Sequence, residues 1–434
     1  MSSPLDLALA RAGEEFRGKR PRTAALHERA RAVMPGGNTR SVLHTAPFPV
    51  RIERAEGATL FDVDGHAYLD FLGEFSAGLY GHSDPRIRAA VEEALGRGLN
   101  FGAPHPGEVE LAEAVTRRFN LDLVRFTNSG TEASMMAVAA ARAFTGRARL
   151  MAMVGGYHGG TLQFGDGPAP VNAPFDCVMA DFNDVEGTRR RISAHAGELA
   201  AVIVEPMLGS GGCIVAQPAF LQMLQEECRR HRIVLIADEV ITSRLHPGGL
   251  SARFGLEPDL KVLGKYVGGG LSFGAFGGRR EIMERFDPSR PDALPHAGTF
   301  NNNTLTMAAG LAGLREVFTP EACVALNERG DGLRRTLGDL FAERRVPMQV
   351  TGLGSVMTVH PLGGRIATAT DAQKADRRMK QLLYLDLLEQ GVLIAGRGLM
   401  TLSLAIGEAD CERLVAAVRH FLETRRELLQ SLAA

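Results

Sequence analysis

The sequence has little lysine and almost no net charge. Among 49 lysine and arginine residues only five are lysine, and 50 aspartate and glutamate residues bring the formal net charge to -1. A non-specific nucleic-acid binder needs a basic excess, and an acidic tail or a disordered polyelectrolyte needs charge of one sign. The balance argues against these classes. A reaction that needs a lysine amine has five candidates: Lys19, Lys261, Lys265, Lys374 and Lys380.

The sequence also lacks the signatures of membranes, secretion and metal sites. No apolar run reaches the roughly 18 residues of a transmembrane helix, and residues 1–18 carry acidic side chains without the apolar segment of a signal peptide. The five cysteines include no C-x-x-C pair, and the 12 histidines form no H-E-x-x-H motif. We therefore expect a cytoplasmic protein without disulfides, a metal site or a membrane partner.

A change of pattern near residue 123 predicts an α/β fold. From there to about residue 305, short apolar runs alternate with helical stretches. Strands buried on both faces and separated by helices indicate a mostly parallel sheet, and ligands bind at the carboxyl ends of such strands. The predicted strands are 123–128, 149–154, 175–180, 200–206, 233–240, 259–265 and 273–278.

A chain of 434 residues is long enough for two or three domains. We predict a large ligand-binding domain over residues 61–310 and a smaller α+β domain over 311–434. The N-terminal segment, residues 1–60, should pack with the smaller domain. A hairpin is expected at Asp64-Gly65. In the smaller domain we predict helices over 321–343, 371–390 and 408–429, and a small sheet from strands near 347–360, 392–395 and 400–404.

Three motifs follow predicted strands at the ligand-binding edge. Residues 129–131 (Ser-Gly-Thr) open a helix, where backbone N–H groups and hydroxyls suit a phosphate; plain capping by Ser129 is the alternative. Asp238 could bind a metal, hold a proton on a ring nitrogen, or cap a helix. Lys265 precedes a glycine-rich turn. Its apolar neighbourhood suits an amine of depressed pKa that forms a Schiff base, with a surface lysine as the alternative.

Two weaker motifs accompany them. Tyr157 lies in the glycine-rich stretch 155–160, where its ring could stack on a flat ligand and the glycines allow close backbone approach. A simple turn is the alternative. Thr299 lies in the polar loop 298–303, a second possible phosphate donor.

In this order, the stretches NSGTEA, GGYHGG, ADEV, LGKYVGGG and AGTF resemble the class III, fold-type I aminotransferases that use pyridoxal 5'-phosphate (PLP). The resemblance runs from Met34-Pro35-Gly36-Gly37 to the C-terminal helix. It implies that Lys265 forms the Schiff base and moves the proton, and that Asp238 pairs with the protonated pyridine nitrogen. It implies that Tyr157 stacks on the ring.

The same resemblance assigns further residues to the cofactor. Ser129, Gly130 and Thr131 would bind the phosphate, and Thr299 would reach the phosphate of a neighbouring subunit, so a homodimer with shared active sites is expected. Glu205 resembles a glutamate near the cofactor's O3' side, and a supporting structural role is the alternative.

Within the class, the chain resembles glutamate-1-semialdehyde 2,1-aminomutases and aromatic β-amino acid (β-phenylalanine) aminotransferases. Aminomutases of the family carry a long glycine-rich lid after the YHG motif, S-G-N-P after the threonine, and a glutamate near the C-terminal strand. Here residues 160–174 are short, residues 300–303 read FNNN, and 395–400 contain no acid. These departures weaken the aminomutase interpretation.

An aminotransferase needs arginine for substrate carboxylates, because bidentate pairing favours it over lysine. The family pattern favours Arg40 and Arg397 among 44 arginines. We predict transfer of the amino group of an aromatic β-amino acid to an α-keto acid such as 2-oxoglutarate or pyruvate. One arginine would hold the β-carboxylate and a mobile Arg397 the α-carboxylate, and Phe75 and Tyr157 would shape the apolar pocket. The alternatives are the aminomutase, an α-selective transaminase of the D-phenylglycine type, and a non-enzymatic PLP-fold protein.

Overall fold

The N-terminal part of the chain forms helices and a small sheet. The structure, a computed structural model, describes residues 3–431. Up to residue 119 its elements are α1 (Pro4–Lys19), α2 (Pro21–Arg31), β1 (Ile52–Glu56), β2 (Thr59–Asp62), β3 (Ala67–Asp70), α3 (Pro85–Arg97) and α4 (Pro106–Phe119). Strands β2 and β3 are antiparallel across Asp64-Gly65, so the predicted hairpin is confirmed.

Helix α1 is a feature that the sequence pattern does not predict. Its start is stabilised by a capping box, in which Ser3 Oγ accepts from Asp6 N (3.2 Å) and Asp6 Oδ2 accepts from Ser3 N (3.1 Å). Its buried side chains are Leu5, Ala12 and Phe16. These few apolar positions, with glycines among their neighbours, make a weak helical period, and packing against the rest of the chain stabilises the helix.

The middle of the chain builds the central sheet. Its elements are β4 (Leu123–Thr127), α5 (Gly130–Thr145), β5 (Arg149–Met153), β6 (Gly156–Tyr157), β7 (Gln163–Phe164), β8 (Cys177–Ala180), α6 (Val185–Ala194), β9 (Leu199–Val204), β10 (Met207–Leu208), β11 (Ile214–Val215), α7 (Pro218–His231), β12 (Val234–Asp238), α8 (Leu250–Arg253), β13 (Leu260–Gly264), β14 (Gly274–Gly278) and α9 (Arg280–Met283). The sheet has seven strands in the order β4-β14-β13-β12-β9-β5-β8. Only β14 runs antiparallel to its neighbours, so the mostly parallel sheet is confirmed.

The packing of this sheet follows from its sequence. All six residues of β9 are buried, as expected for a central strand with helices on both faces. Helix α5 contacts β13 and β14 through a row of alanines that includes Ala133, Ala137 and Ala141, all 0% exposed. Small side chains let the helix lie close to the sheet. Ser129 caps its start, and Gly146 ends it with φ 68°.

The C-terminal part adds helices and a second small sheet. Its elements are α10 (Thr304–Ala312), a π-helical turn (Gly313–Val317), α11 (Pro320–Glu343), β15 (Gln349–Leu353), β16 (Val356–His360), α12 (Ala369–Gln373), α13 (Arg377–Glu389), β17 (Val392–Leu393), β18 (Leu399–Thr401), α14 (Glu408–Thr424) and α15 (Arg426–Ser431). The predicted helix 371–390 is two helices, because Asp376 accepts from Arg378 N (2.8 Å) and caps a new start.

One predicted strand pairing is wrong. The small C-terminal sheet has the order β15-β16-β18, and β17 lies instead beside β3 in the N-terminal sheet, in parallel. A two-residue strand carries too little pattern to specify its partner. The N-terminal and C-terminal parts of the chain are therefore joined by main-chain hydrogen bonds between β3 and β17.

Side chains strengthen the contact between the two ends. The buried Arg20 donates to Glu389 (2.7 Å) and to Tyr68 Oη (3.0 Å), and Lys19 lies 2.6 Å from the same carboxylate. These contacts support our division of the chain, which remains a proposal; residues 1–2 and 432–434 of its terminal segments lie outside the described residues. Between residues 3 and 431, no helix is both long enough and apolar enough to cross a membrane.

Candidate active site

The carboxyl ends of six strands lie at one edge of the central sheet, because only β14 runs the other way. Candidate residues follow five of these strands: β4, β5, β9, β12 and β13. The candidate residues at or just after these ends are Ser129, Tyr157, Glu205, Asp238 and Lys265. A fold with this topology binds ligands at this edge.

Lys265 begins a short 3-10 turn directly after β13. Its φ is 54°, in the left-handed region that costs a non-glycine residue roughly 1–3 kcal/mol and that occurs at functional sites. Burial lowers the pKa of its amine to about 8. Asp238 and Glu205 act in the opposite direction on this pKa, and Arg397 and Arg40 add to its lowering. All five charged groups therefore share one electrostatic environment.

Asp238 is paired with a histidine that the motif analysis did not single out. His158 Nδ1 lies 2.8 Å from Asp238 Oδ2, while Asp238 Oδ1 accepts from Val240 N (3.0 Å). Both side chains are almost fully buried, and His158 Nε2 has no hydrogen-bond partner within residues 3–431. The position of His158 directly after Tyr157, at a strand end, was the available signal. The pair presents a fixed carboxylate to any ligand at the edge.

Glu205 contacts backbone N–H groups on two turns. Its Oε1 accepts from Tyr157 N and its Oε2 from Gly209 N, both at 3.0 Å. Burial raises its pKa to about 7. Glu205 thus fixes the turn that carries Tyr157, a residue that is 41% exposed. This contact favours the supporting role for Glu205.

The N-terminus of α5 has backbone donors without an acceptor among residues 3–431. Ser129 Oγ accepts from Glu132 N (3.2 Å), so the capping interaction exists. The first N–H groups of a helix have no intrahelical acceptor, and those of Gly130 and Thr131 precede the capped one. A side chain at Gly130 would meet Val240, and Thr131 Oγ1 accepts from Gly160 N (3.0 Å). These features make a compact anion site at a helix N-terminus.

Thr299 lies on an exposed loop. The loop is held beside the start of α5, because Asn128 Nδ2 donates to Asn301 Oδ1 (2.9 Å). Phe300, the next residue after Thr299, is 58% exposed. Among residues 3–431, Thr299 forms no hydrogen bond with Lys265 or with residues 129–131.

Arg40 and Arg397 both lie close to the ring of Phe75. Their guanidinium carbons lie 5.9 Å and 5.4 Å from its centroid, within the range of cation–π attraction. Arg40 also donates to the exposed Glu74 (2.8 Å), a partner not foreseen from the sequence. Arg397 has no ion pair with any residue in the described part of the chain, and burial lowers its pKa. An uncompensated guanidinium of this kind suits a carboxylate ligand.

Phe75 itself stands on a left-handed turn, Gly73–Ser76. The four φ values are 51°, 50°, 54° and 80°. Each non-glycine residue in this region costs roughly 1–2 kcal/mol, so surrounding contacts must hold the turn. Asp70 Oδ1 accepts from the N–H of Leu72 (3.0 Å), and Thr401 Oγ1 donates to the carbonyl of Leu72 (2.8 Å).

Comparison with known proteins identifies the family. Residues 41–165 and 168–422 match the family model described as aminotransferase class-III. The chain belongs to the class-III aminotransferases. A class-III aminotransferase depends on PLP and moves an amino group from a donor to a keto acid. The predicted fold type, enzyme class and cofactor are thereby confirmed.

Two of this class-III aminotransferase's relatives are most informative. The beta-phenylalanine transaminase of Variovorax paradoxus is 48% identical over 426 residues, 98% of each chain. Its crystal structure superposes with a TM-score of 0.97 and covers 98% of this chain and 99% of that one. The glutamate-1-semialdehyde 2,1-aminomutase of Methanothermobacter thermautotrophicus is 39% identical over 383 residues, 85% of this chain and 90% of that one.

The residues of the site fit PLP. A buried amine of lowered pKa, a fixed carboxylate and an anion site at a helix N-terminus match the cofactor's aldehyde, ring nitrogen and phosphate. These groups lie at the same edge of the sheet. Tyr157, which is exposed, follows another strand that ends at this edge.

Proposed function

We propose that this enzyme is a transaminase for aromatic β-amino acids, of which β-phenylalanine is the model, with an α-keto acid such as 2-oxoglutarate or pyruvate as acceptor. The observation that carries the proposal is that Arg40 and Arg397 both lie within about 6 Å of the Phe75 ring. An apolar ring close to two cations matches a substrate that has both an aromatic group and a carboxylate. The 48% identity to a beta-phenylalanine transaminase supports it.

We infer the following roles at the cofactor. PLP, when bound, supplies an electron sink for the reacting carbon. Lys265 would hold it through its amine and would act as the proton acid and base, for which an amine with a pKa near the working pH is suited. Asp238, held by His158, would stabilise a proton on the ring nitrogen.

Other residues bind and orient the cofactor. Tyr157, whose backbone is fixed by Glu205, would stack on the ring. Ser129, Gly130 and Thr131 would bind the phosphate at the start of α5. Together these residues would orient the cofactor toward the Lys265 amine.

We assign the two arginines to different carboxylates. Arg40, at the exposed entrance, would hold the carboxylate of the β-amino acid, which lies one carbon further from the amine than in an α-amino acid. Arg397 would hold the α-carboxylate of the keto acid and would move aside for the aromatic ring of the donor. Their environments support this division, since Arg40 is 48% exposed and Arg397 is more enclosed.

We also infer a homodimer in which Thr299 contributes to the phosphate site of the neighbouring subunit. Its exposed position and that of Phe300 support this, because within residues 3–431 neither side chain forms a hydrogen bond, an ion pair or an aromatic-ring contact. A cytoplasmic location stays a prediction; the five cysteines are all unpaired, as a reducing compartment would keep them.

The test is an assay of purified enzyme with 3-amino-3-phenylpropanoate and either 2-oxoglutarate or pyruvate. We expect glutamate or alanine to form in proportion to donor consumed. Isomerisation of glutamate 1-semialdehyde without β-amino acid turnover would establish the aminomutase instead. Turnover of D-phenylglycine alone would establish an α-selective enzyme.

A further inference from the structure

Arg244 is a fully buried arginine that joins three segments of the chain. It lies in the short turn Thr242–Leu245, a few residues after Asp238, and is 0% exposed. Its Nη1 donates to the carbonyl of Ser76 (3.1 Å) and its Nε to Ser355 Oγ (3.1 Å). Its Nη2 donates to the carbonyl of Leu402.

No carboxylate compensates this guanidinium among the residues that the structure describes. Burial lowers the pKa of Arg244 to about 10, which leaves it charged at neutral pH. Burying an unpaired charge is costly, and an apolar residue of similar volume is often neutral or better for stability. Stability alone therefore does not account for an arginine here. A planar group with donors in fixed directions, however, sets the relative positions of its acceptors.

The acceptors of Arg244 belong to the two structures that bracket the substrate region. Ser76 closes the left-handed turn that carries Phe75. Leu402 follows β18, the strand entered from the loop of Arg397, and its N–H donates to Ser355 O (2.9 Å). The side chain of Arg244 thus connects the turn that carries Phe75 to the strand that follows the loop of Arg397.

The position of Arg244 in its own turn is also well determined. Glu239 Oε2 accepts from Thr242 Oγ1 and from Leu250 N, both at 2.8 Å, on the two sides of Arg244 in the chain. Asn327 Nδ2 donates to the carbonyl of Arg244 (2.9 Å). The guanidinium is therefore anchored in the sheet-edge segment that begins at Asp238.

We propose that Arg244 is a positioning residue for substrate specificity: it holds the Phe75 turn at a fixed distance from Arg397 and so sets the preference for aromatic over aliphatic β-amino donors. The predicted effect on donor preference rests on the proposed function. Its structural consequence, a fixed Phe75 turn, is independent of the substrate.

The kinetic test compares kcat/KM for 3-amino-3-phenylpropanoate and 3-aminobutanoate in wild type, Arg244→Met and Arg244→Lys. We expect Arg244→Met to lower the aromatic-to-aliphatic ratio by about 10-fold or more, the size expected when hydrogen bonds from a charged group are lost. Arg244→Lys should not restore the ratio, because an ammonium cannot reach three acceptors in the plane of a guanidinium. If Arg244→Met fails to fold, Arg244→Lys alone tests the ratio.

A double-mutant cycle separates positioning from general destabilisation. In a Phe75→Ala background, substitution of Arg244 should change the ratio by less than about 2-fold, because no ring remains to be positioned. The matched control is Arg118→Met. Arg118 also donates to backbone carbonyls, those of Pro247, Leu314 and Phe318, but to none in the Phe75 turn.

Hydrogen exchange of the PLP-bound enzyme supplies a readout that needs no substrate. In Arg244→Met, the amides of residues 72–78 and 399–402 should lose protection from exchange. In Arg118→Met, the same amides should keep their protection. Each of four results would overturn the proposal. In Arg244→Met, kcat/KM could fall equally for both donors, or exchange at residues 72–78 could stay unchanged. Substitution of Arg244 could change the ratio as much in the Phe75→Ala background, or Arg244→Lys could restore the ratio. If wild type lacks β-amino acid activity but the exchange result holds, the proposed function fails and the positioning role stands.

Discussion

The sheet edge and the substrate entrance of this enzyme are built in different ways. At the sheet edge, Asp238 is 4% exposed and paired with a buried histidine, and Lys265 follows its strand directly. At the entrance, Arg40 is 48% exposed, and Phe75 stands on a left-handed turn held by side chains from distant segments. Backbone ladders hold the first region, and side-chain contacts hold the second.

The difference indicates how one scaffold can keep its chemistry while its substrates vary. Groups at strand ends are fixed by many cooperative main-chain hydrogen bonds, so their geometry changes little when a loop changes. Phe75 and the two arginines depend on a few contacts each. Substitutions in the two regions should therefore differ in size and in kind, which the following predictions test in decreasing order of effect.

Lys265→Ala should lower kcat for transamination by up to about 10⁴-fold, the upper end of what a positioned acid–base group supplies. After borohydride reduction and denaturation, mass spectrometry should find the cofactor attached to wild type and absent from the variant. Lys374→Ala, an exposed lysine paired with Asp371, is the control and should behave as wild type. Covalent attachment that survives in Lys265→Ala would contradict the assignment.

Asp238→Asn should lower kcat by roughly 10²- to 10³-fold, since a buried charged partner is worth about 3–5 kcal/mol. Asparagine keeps the size of the side chain but cannot hold the ring proton as a carboxylate does. Stopped-flow absorbance of the donor half-reaction measures the effect. A loss that appears only in the KM for the donor would mean that Asp238 belongs with the entrance groups.

Arg397→Ala should lower kcat/KM for 2-oxoglutarate by about 10- to 100-fold, the value of charged hydrogen bonds to a carboxylate. Arg40→Ala should act on the β-amino donor instead. Separate donor and acceptor half-reactions measure this, with the exposed Arg117→Ala as a control. The same variant weakening both half-reactions equally would remove the division between the two arginines.

The smallest effect concerns pH. Because burial lowers the pKa of Lys265 to about 8, its amine is protonated below that pH and neutral above it. Only the neutral amine can attack the cofactor's aldehyde. The rate at which cofactor-free enzyme captures PLP should therefore rise about 10-fold between pH 7 and 9 and then level off. A rise that continues to pH 10 would place this pKa near its ordinary value and weaken the comparison.

The sequence alone determined much of the sheet edge. Strand-then-turn motifs around Ser129, Asp238 and Lys265 are local, so the short apolar runs that precede them were enough to place each at a strand end. The mostly parallel sheet follows from the alternation of such runs with helical stretches. Parallel strands with one direction then require that their ends meet, and no knowledge of long-range contacts is needed.

Only the tertiary structure decided the contacts between distant segments. His158 and Asp238 are 80 positions apart, and Arg40, Phe75 and Arg397 come from three separate loops. The two-residue strand β17 joins β3 rather than the C-terminal sheet. Neither a short strand nor a single charged side chain carries a period that names its partner. Such partners are determined by the packing of the whole chain, because burial and backbone strain at these sites depend on segments that are distant in sequence.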